Sequence, residues 1–225
     1  VGEVMADFGR RATLAEGAIS WPEERPTSSD HTIIRPVANP FQEEGGISVV
    51  EGDIGRAVVK VSAVAEEHRT IDAPARVFRS QMNLPKHLKR GNERRHGRVL
   101  PGQGPKAMGM PELHRLTPYL GVMQNKGLRV ALLTDGRMSG ASGKVLAAIQ
   151  VTPEAADGGL IQKIQSGDRI VIDSEHGELR VHAALSERSE PLKPSRGEDV
   201  GMGRELFQVF RDRVSSADAG ASVVL

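Results

Sequence analysis

Ser139 stands near the apex of a polar, glycine-spaced stretch, Thr134-Asp-Gly-Arg-Met-Ser-Gly-Ala-Ser-Gly-Lys144, and the apolar run Val130-Ala-Leu-Leu133 leads straight into it. Gly136, Gly140 and Gly143 permit backbone conformations closed to other residues and let a ligand come close. Asp135, Arg137, Ser139, Ser142 and Lys144 crowd polar groups into the same turn. The stretch reads as an active-site loop. The plain alternative is a strand-to-turn connection in which Ser139 caps a turn. Upstream, Gly104-Pro-Lys-Ala-Met-Gly-Met-Pro-Glu112-Leu-His114 sets a carboxylate beside an imidazole, just ahead of a helix-like run over 115–125. Glu112 could be an early-helix carboxylate favoured by the dipole, and His114 could ligate, shuttle protons or serve structure.

The elements that must position these groups read as mainly β. Ile47-Ser-Val-Val50 and Arg56-Ala-Val-Val-Lys-Val-Ser62 are β-branched runs separated by a turn, which favours strands. Arg169-Ile-Val-Ile-Asp173 and Glu178-Leu-Arg-Val-His182 flank the turn Ser174-Glu-His-Gly177 and predict a hairpin. Residues 203–214 put Leu206, Val209, Phe210 and Val214 on one helical face, which predicts a packing helix. Short strands with few helices point to a barrel or a barrel-like sandwich. Residues 1–45 carry Pro22, Pro26, Pro36 and Pro40 and read as a linker or arm, which leaves 46–225 as the domain. Trp21 and Phe8 in that arm are expected to be exposed.

Composition excludes several functions. Of 225 residues, 26% are charged but the net charge is only +1, so neither a nucleic-acid-binding field nor a membrane patch is implied. No apolar run is long enough to span a bilayer and no signal-peptide pattern opens the chain, which fits a cytoplasmic protein. Gly201-Met-Gly-Arg204 lacks the lysine-serine ending of a P-loop.

These motifs together resemble a family of iron–sulfur dehydratases acting on sugar acids and dihydroxy acids, the dihydroxy-acid/6-phosphogluconate dehydratase family. The wording of 135–144 is most similar to its 6-phosphogluconate branch. Further matches are Arg35-Pro-Val-Ala-Asn-Pro-Phe41, Gly55-Arg-Ala-Val-Val-Lys-Val-Ser62, Val151-Thr-Pro-Glu-Ala-Ala-Asp-Gly-Gly-Leu160 and Gly203-Arg-Glu-Leu-Phe207. The resemblance implies a swivelling β/β/α barrel-like domain with peripheral helices. It also implies a hydro-lyase reaction of the Entner–Doudoroff pathway, with 6-phospho-D-gluconate dehydrated to 2-dehydro-3-deoxy-6-phosphogluconate. A dihydroxy-acid or unphosphorylated sugar-acid dehydratase is the alternative within the family, and a non-catalytic remnant or interaction domain the alternative outside it.

By the same resemblance Ser139 is the base and Glu112 a ligand to Mg²⁺, a cation that prefers carboxylate oxygens. Arg137, Gly140, Ser142 and Lys144 then bind the substrate, a sugar-acid phosphate, although the two cations could equally face solvent. The family's iron–sulfur cluster needs thiolates, and this chain has no cysteine, so it supplies no cluster ligand. The ligands are expected in an N-terminal dehydratase domain, in a protein that is a homodimer when full length. The opening Val1 fits a piece of such a protein, inactive by itself.

One segment departs from the family pattern. Between Met82 and Gly102 the chain is strongly basic where the resemblance expects a helix and then an apolar strand, and only Val99-Leu100 looks strand-like. A pair of compensating frameshifts would produce such a segment, and the expected result is a damaged strand ahead of Glu112. A basic run is otherwise a solvated face or, less often, a phosphate- or nucleic-acid-binding patch.

Overall fold

A computed structural model describes residues 12–14, 17–19, 28–41, 45–81, 95–138, 144–188 and 205–224. The chain divides into two compact units, Val1–Gly45 and Gly46–Leu225. In the first, β1 (Ala12–Leu14) and β2 (Gly17–Ile19) form an antiparallel pair, and the Arg35 guanidinium lies 4.1 Å over the Phe41 ring. Phe8 and Trp21 lie outside the described residues, as do residues 201–204.

The second unit is a closed barrel of eight strands. They are β3 (Ile47–Gly52), β4 (Gly55–Lys60), β5 (Thr70–Val77), β6 (Arg95–Leu100), β7 (Arg129–Thr134), β8 (Leu146–Thr152), β9 (Arg169–Asp173) and β10 (Glu178–His182). Around the barrel the order is β10-β3-β4-β8-β7-β6-β5-β9, closing β9 on β10. The expected hairpin over 169–182 is present, with Leu179 opposite Ile172. The fold is mixed: β5, β6, β7 and β8 run parallel in sequence around one side, and the remaining pairs are antiparallel except β3 with β10.

The β3–β10 seam pairs only two residues, and the chain reinforces it elsewhere. Val181 N donates to Asp53 Oδ2 at 2.9 Å and Glu51 N to Gly177 O at 2.9 Å. A Cβ at Gly52 would run into the Leu179 carbonyl, so only glycine lets the strands meet there.

Two apolar layers result from the pleat. Val99, Ala131, Leu133, Ala148 and Ile170 point inward and fill the barrel, which needs no aromatic side chain because β-branched and aliphatic residues from all sides close it. Leu100, Val130 and Leu132 point outward under α2 (Leu116–Asn125), whose Leu116, Leu120 and Met123 recur at helical spacing and cover that face. β7 is therefore buried on both sides, as a parallel strand under a helix must be.

Two expectations are corrected. β6 is a full strand from Arg95 to Leu100, paired with β5 and β7, not a remnant of two residues. A parallel ladder is built from backbone groups, so side-chain identity does not prevent it. Gly97 faces the interior, where a Cβ would strike Ile170 Cδ1, and Arg98 lies in the outer layer, 1% exposed, with its guanidinium 5.7 Å from the Phe78 ring centroid. The rest of the basic segment, 82–94, lies outside the described residues.

The second correction concerns 203–214. The helix there, α3 (Gln208–Arg213), spans six residues and follows a 3₁₀ turn at Glu205–Phe207. Leu206, Val209 and Phe210 are 71%, 62% and 50% exposed. With Leu206 off the helix, the three cannot form one packed stripe, and Phe210 lines an open groove instead.

Candidate functional site

The parallel register of β6, β7 and β8 brings their C-terminal ends to one end of the barrel, where Leu100 pairs Thr134. Three loops therefore start side by side, those after Leu100, Thr134 and Thr152. Ligand sites of parallel sheets gather at this end of the strands.

Thr134 begins the local structure: its Oγ1 donates to Leu100 O at 2.7 Å and accepts from Gly136 N at 3.0 Å. Asp135 comes next and is fully buried. Its carboxylate accepts from Gly102 N (3.0 Å) and Gln103 N (2.8 Å) in the first loop and from Ala155 N (2.9 Å) in the third. Burial pushes the Asp135 carboxyl above its ordinary range, against the pull of those amides.

Glu154, 3% exposed, makes the matching bond from the third loop to the first. It accepts from Lys106 N at 2.7 Å and Ala107 N at 3.1 Å, the opening amides of α1 (Pro105–Met108). A Cβ at Gly104 would collide with its carboxylate. Burial raises the Glu154 pKa, the two amides oppose it, and the charges of Asp135 and Asp157 add to the rise. Lys106 Nζ completes this corner with an ion pair to Asp157 at 2.7 Å.

Past Met108 the first loop turns back to the second. Glu112 and Arg137 form a parallel bridge, and Leu113 N donates to Arg137 O at 3.2 Å. The Arg137 side chain, half exposed, donates from Nε to Met110 O at 2.8 Å, and a guanidinium nitrogen lies 3.5 Å from Glu112 Oε2. Glu112 is thus extended backbone ahead of α2, not an early-helix residue, and the dipole reading falls away. Lys144 is exposed, and its carbonyl accepts from Gln124 Nε2 of α2 at 2.9 Å.

The structure thus brings Glu112 and Arg137 together and sets Lys144 at the far end of the loop that holds Ser139. Ser139, Gly140 and Ser142 themselves lie outside the described residues. Gly136 serves packing, not ligand approach: it is buried, and a Cβ there would sit 2.6 Å from Gln103 Cβ. His114 is exposed, and among the described residues no group of three His, Cys, Asp or Glu could hold a metal ion. Glu112 is a hard carboxylate donor, of the kind that suits Mg²⁺ as one ligand of several.

Sequence reasoning gave no role to Glu154 or Gln103 and treated Asp135 as one polar group among many. The signal that could have found them is a carboxylate directly after a buried strand end, facing the glycine-rich Gly102-Gln-Gly104 whose amides need acceptors.

Beside the bridge lies a groove of about 630 Å³ between residues 105–110, Arg137 and the C-terminal Phe207, Phe210 and Val223. Barrel, loop cluster and groove together define a domain of the kind that carries a small-molecule site at one end.

The chain belongs to the dihydroxy-acid/6-phosphogluconate dehydratase family: residues 32–221 match its C-terminal domain. It is 48% identical over 224 residues to phosphogluconate dehydratase of Pseudomonas aeruginosa, covering 98% of this chain and 37% of that protein. Phosphogluconate dehydratase of Escherichia coli strain K12 is 44% identical over 215 residues, covering 94% and 36%. Dihydroxy-acid dehydratase of Halothermothrix orenii is more distant, 37% identical over 197 residues, covering 85% and 35%. The chain spans little more than a third of the curated relatives it matches.

Proposed function

We propose that this chain is the C-terminal part of a hydro-lyase that dehydrates 6-phospho-D-gluconate to 2-dehydro-3-deoxy-6-phosphogluconate in the cytoplasm. The observation that supports the reading is the bridge between Glu112 and Arg137, which follows β7 two residues ahead of Ser139 in sequence, in a chain 48% identical to a phosphogluconate dehydratase.

The reaction removes the weakly acidic proton at C2, and its electron pair forms the C2–C3 double bond as hydroxide leaves C3. The enol then gains a proton at C3 and becomes a 2-keto acid. Ser139 is the base that takes the C2 proton, and Arg137, with Gly140 and Ser142, orients the substrate's oxygens. Glu112 holds one position of Mg²⁺. When bound, that ion supplies positive charge where negative charge gathers as the C2 proton leaves. The iron–sulfur cluster of the family does not fit this chain, which has no thiolate to offer, and its ligands are assigned to an N-terminal domain. The isolated chain is accordingly expected to be inactive, because the groups of one constellation act together.

Lys144 is assigned to the phosphate. Lys144→Ala in the longer protein removes a charge-assisted contact of about 1.5–3 kcal/mol, so KM for 6-phosphogluconate should rise on the order of 10- to 100-fold. KM for an unphosphorylated sugar acid should stay within about 3-fold, since that substrate never made the contact. Steady-state kinetics on both substrates decides it: equal loss on the two removes Lys144 from phosphate binding.

A further inference from the structure

We infer that Asp135 is a positioning residue of the dehydratase site, its buried carboxylate fixing the loop that carries Ser139 against the loop that carries Glu112. The inference rests on the function proposed above and adds to it a residue that touches no substrate.

The geometry carries the argument. Asp135 belongs to the second loop, yet its oxygens accept from amides of the first (Gly102, Gln103) and the third (Ala155), all within 2.8–3.0 Å. Glu154 of the third loop binds Lys106 N and Ala107 N of the first. The three loops are therefore joined pairwise into a closed triangle, and two buried carboxylates hold it with backbone amides. Gly136 against Gln103, and Gly104 against Glu154, show that the loops touch without slack.

An unneeded buried carboxylate would be a liability, since water solvates the charge better than amides do. Its use is directional: an acceptor-only group with two oxygens can take three N–H bonds at once, which neither asparagine nor a hydroxyl can. Asp135 stands two residues before the Arg137–Glu112 bridge and, in sequence, four before Ser139. A shift at Asp135 thus passes to the base relative to Glu112, and a displacement of about 1 Å can cost on the order of 100-fold in rate.

The test is kinetic and uses the longer protein of which this chain is a part. Asp135→Asn keeps the shape but turns an NH₂ toward an N–H, so one of the three bonds is lost. We expect kcat per folded molecule with 6-phosphogluconate to fall about 100-fold while KM moves less than about 3-fold, because the substrate's own contacts remain. Ile71→Ala is the control for stability alone, since it weakens the barrel interior at the start of β5, which runs parallel to β6 and so begins at the end away from the loops. Its kcat per folded molecule should stay within about 3-fold. If Asp135→Asn does not accumulate folded, Glu154→Gln is read instead, with a fall of about 10-fold expected from the loss of one corner of the triangle.

A kcat within about 3-fold of the native value for the variant read overturns the inference, as does an equal fall in that variant and Ile71→Ala. Ser139→Ala, assayed alongside, separates the two layers of the account. If the native protein forms no 2-keto acid the proposed function fails; if it does and Ser139→Ala stays active, the assignment of the base fails, whatever Asp135→Asn does. If Ser139→Ala is inactive while Asp135→Asn is unimpaired, only the positioning role fails.

Discussion

Replacing Ser139 by alanine in the longer protein should lower kcat for 6-phosphogluconate by about 10²- to 10⁴-fold, the usual contribution of a positioned general base. Substrate KM and Mg²⁺ affinity should change little, because the hydroxyl is assigned to the C2 proton and not to the ground-state contacts. The expectation is grounded in what flanks the residue. On one side Arg137 is fixed by its backbone bridge to Glu112 and by its Nε bond to Met110 O; on the other, Lys144 O is held by Gln124. The described residues on either side of 139–143 are thus anchored, Arg137 to Glu112 and Met110 and Lys144 to α2. Steady-state turnover with a C2-protonated substrate is the measurement, and retention of more than about a tenth of native kcat would assign the base elsewhere.

The second large effect is on stability. Leu133→Ala should destabilise the chain by about 2–5 kcal/mol, read as a lowered urea midpoint. Leu133 is fully buried in the barrel interior, between Val99 of β6 and Ala148 of β8 in the register of the parallel ladder. With β-sheet backbone on both sides, the walls cannot collapse into the space its side chain leaves. Val49→Ala on β3, a position 49% exposed, is the contrast and should stay within about 0.5 kcal/mol. A Leu133→Ala loss no greater than that of Val49→Ala would mean that the barrel interior is not the core of this domain.

The barrel strands were legible because their β-branched runs and turns follow local rules. The hairpin over 169–182 and the strand 130–133 stand as the sequence implies. Two elements were not legible, for different physical reasons. β6 escapes pattern reading because Arg95, His96, Gly97 and Arg98 carry little β propensity, yet a ladder on each side supplies the backbone partners regardless. The 203–214 stretch misleads in the other direction: its apolar spacing is helical, but only Gln208–Arg213 is α-helix and its apolar residues face a groove and solvent.

At the site, Glu112 and Arg137 were singled out by residue type and by the resemblance, and their pairing joins two loops, after β6 and after β7, that only the fold brings together. Asp135 shows the same limit more sharply. A carboxylate in a polar, glycine-spaced turn reads as a solvated or ligand-facing group. Whether it is instead sealed under three amides depends on loops after β6 and β8 that local sequence does not connect to it. Among 205–224, Leu206, Phe207, Val209, Phe210, Val223 and Val224 are exposed, which helical spacing alone does not foretell.

The most direct test joins this chain to the N-terminal domain proposed for it and supplies the proposed Mg²⁺ and cluster. Formation of a 2-keto acid from 6-phospho-D-gluconate is then followed, with the isolated chain assayed beside it. The account expects 2-dehydro-3-deoxy-6-phosphogluconate in one-to-one yield from the longer protein and none from the isolated chain. No 2-keto acid from the longer protein with 6-phosphogluconate would contradict it.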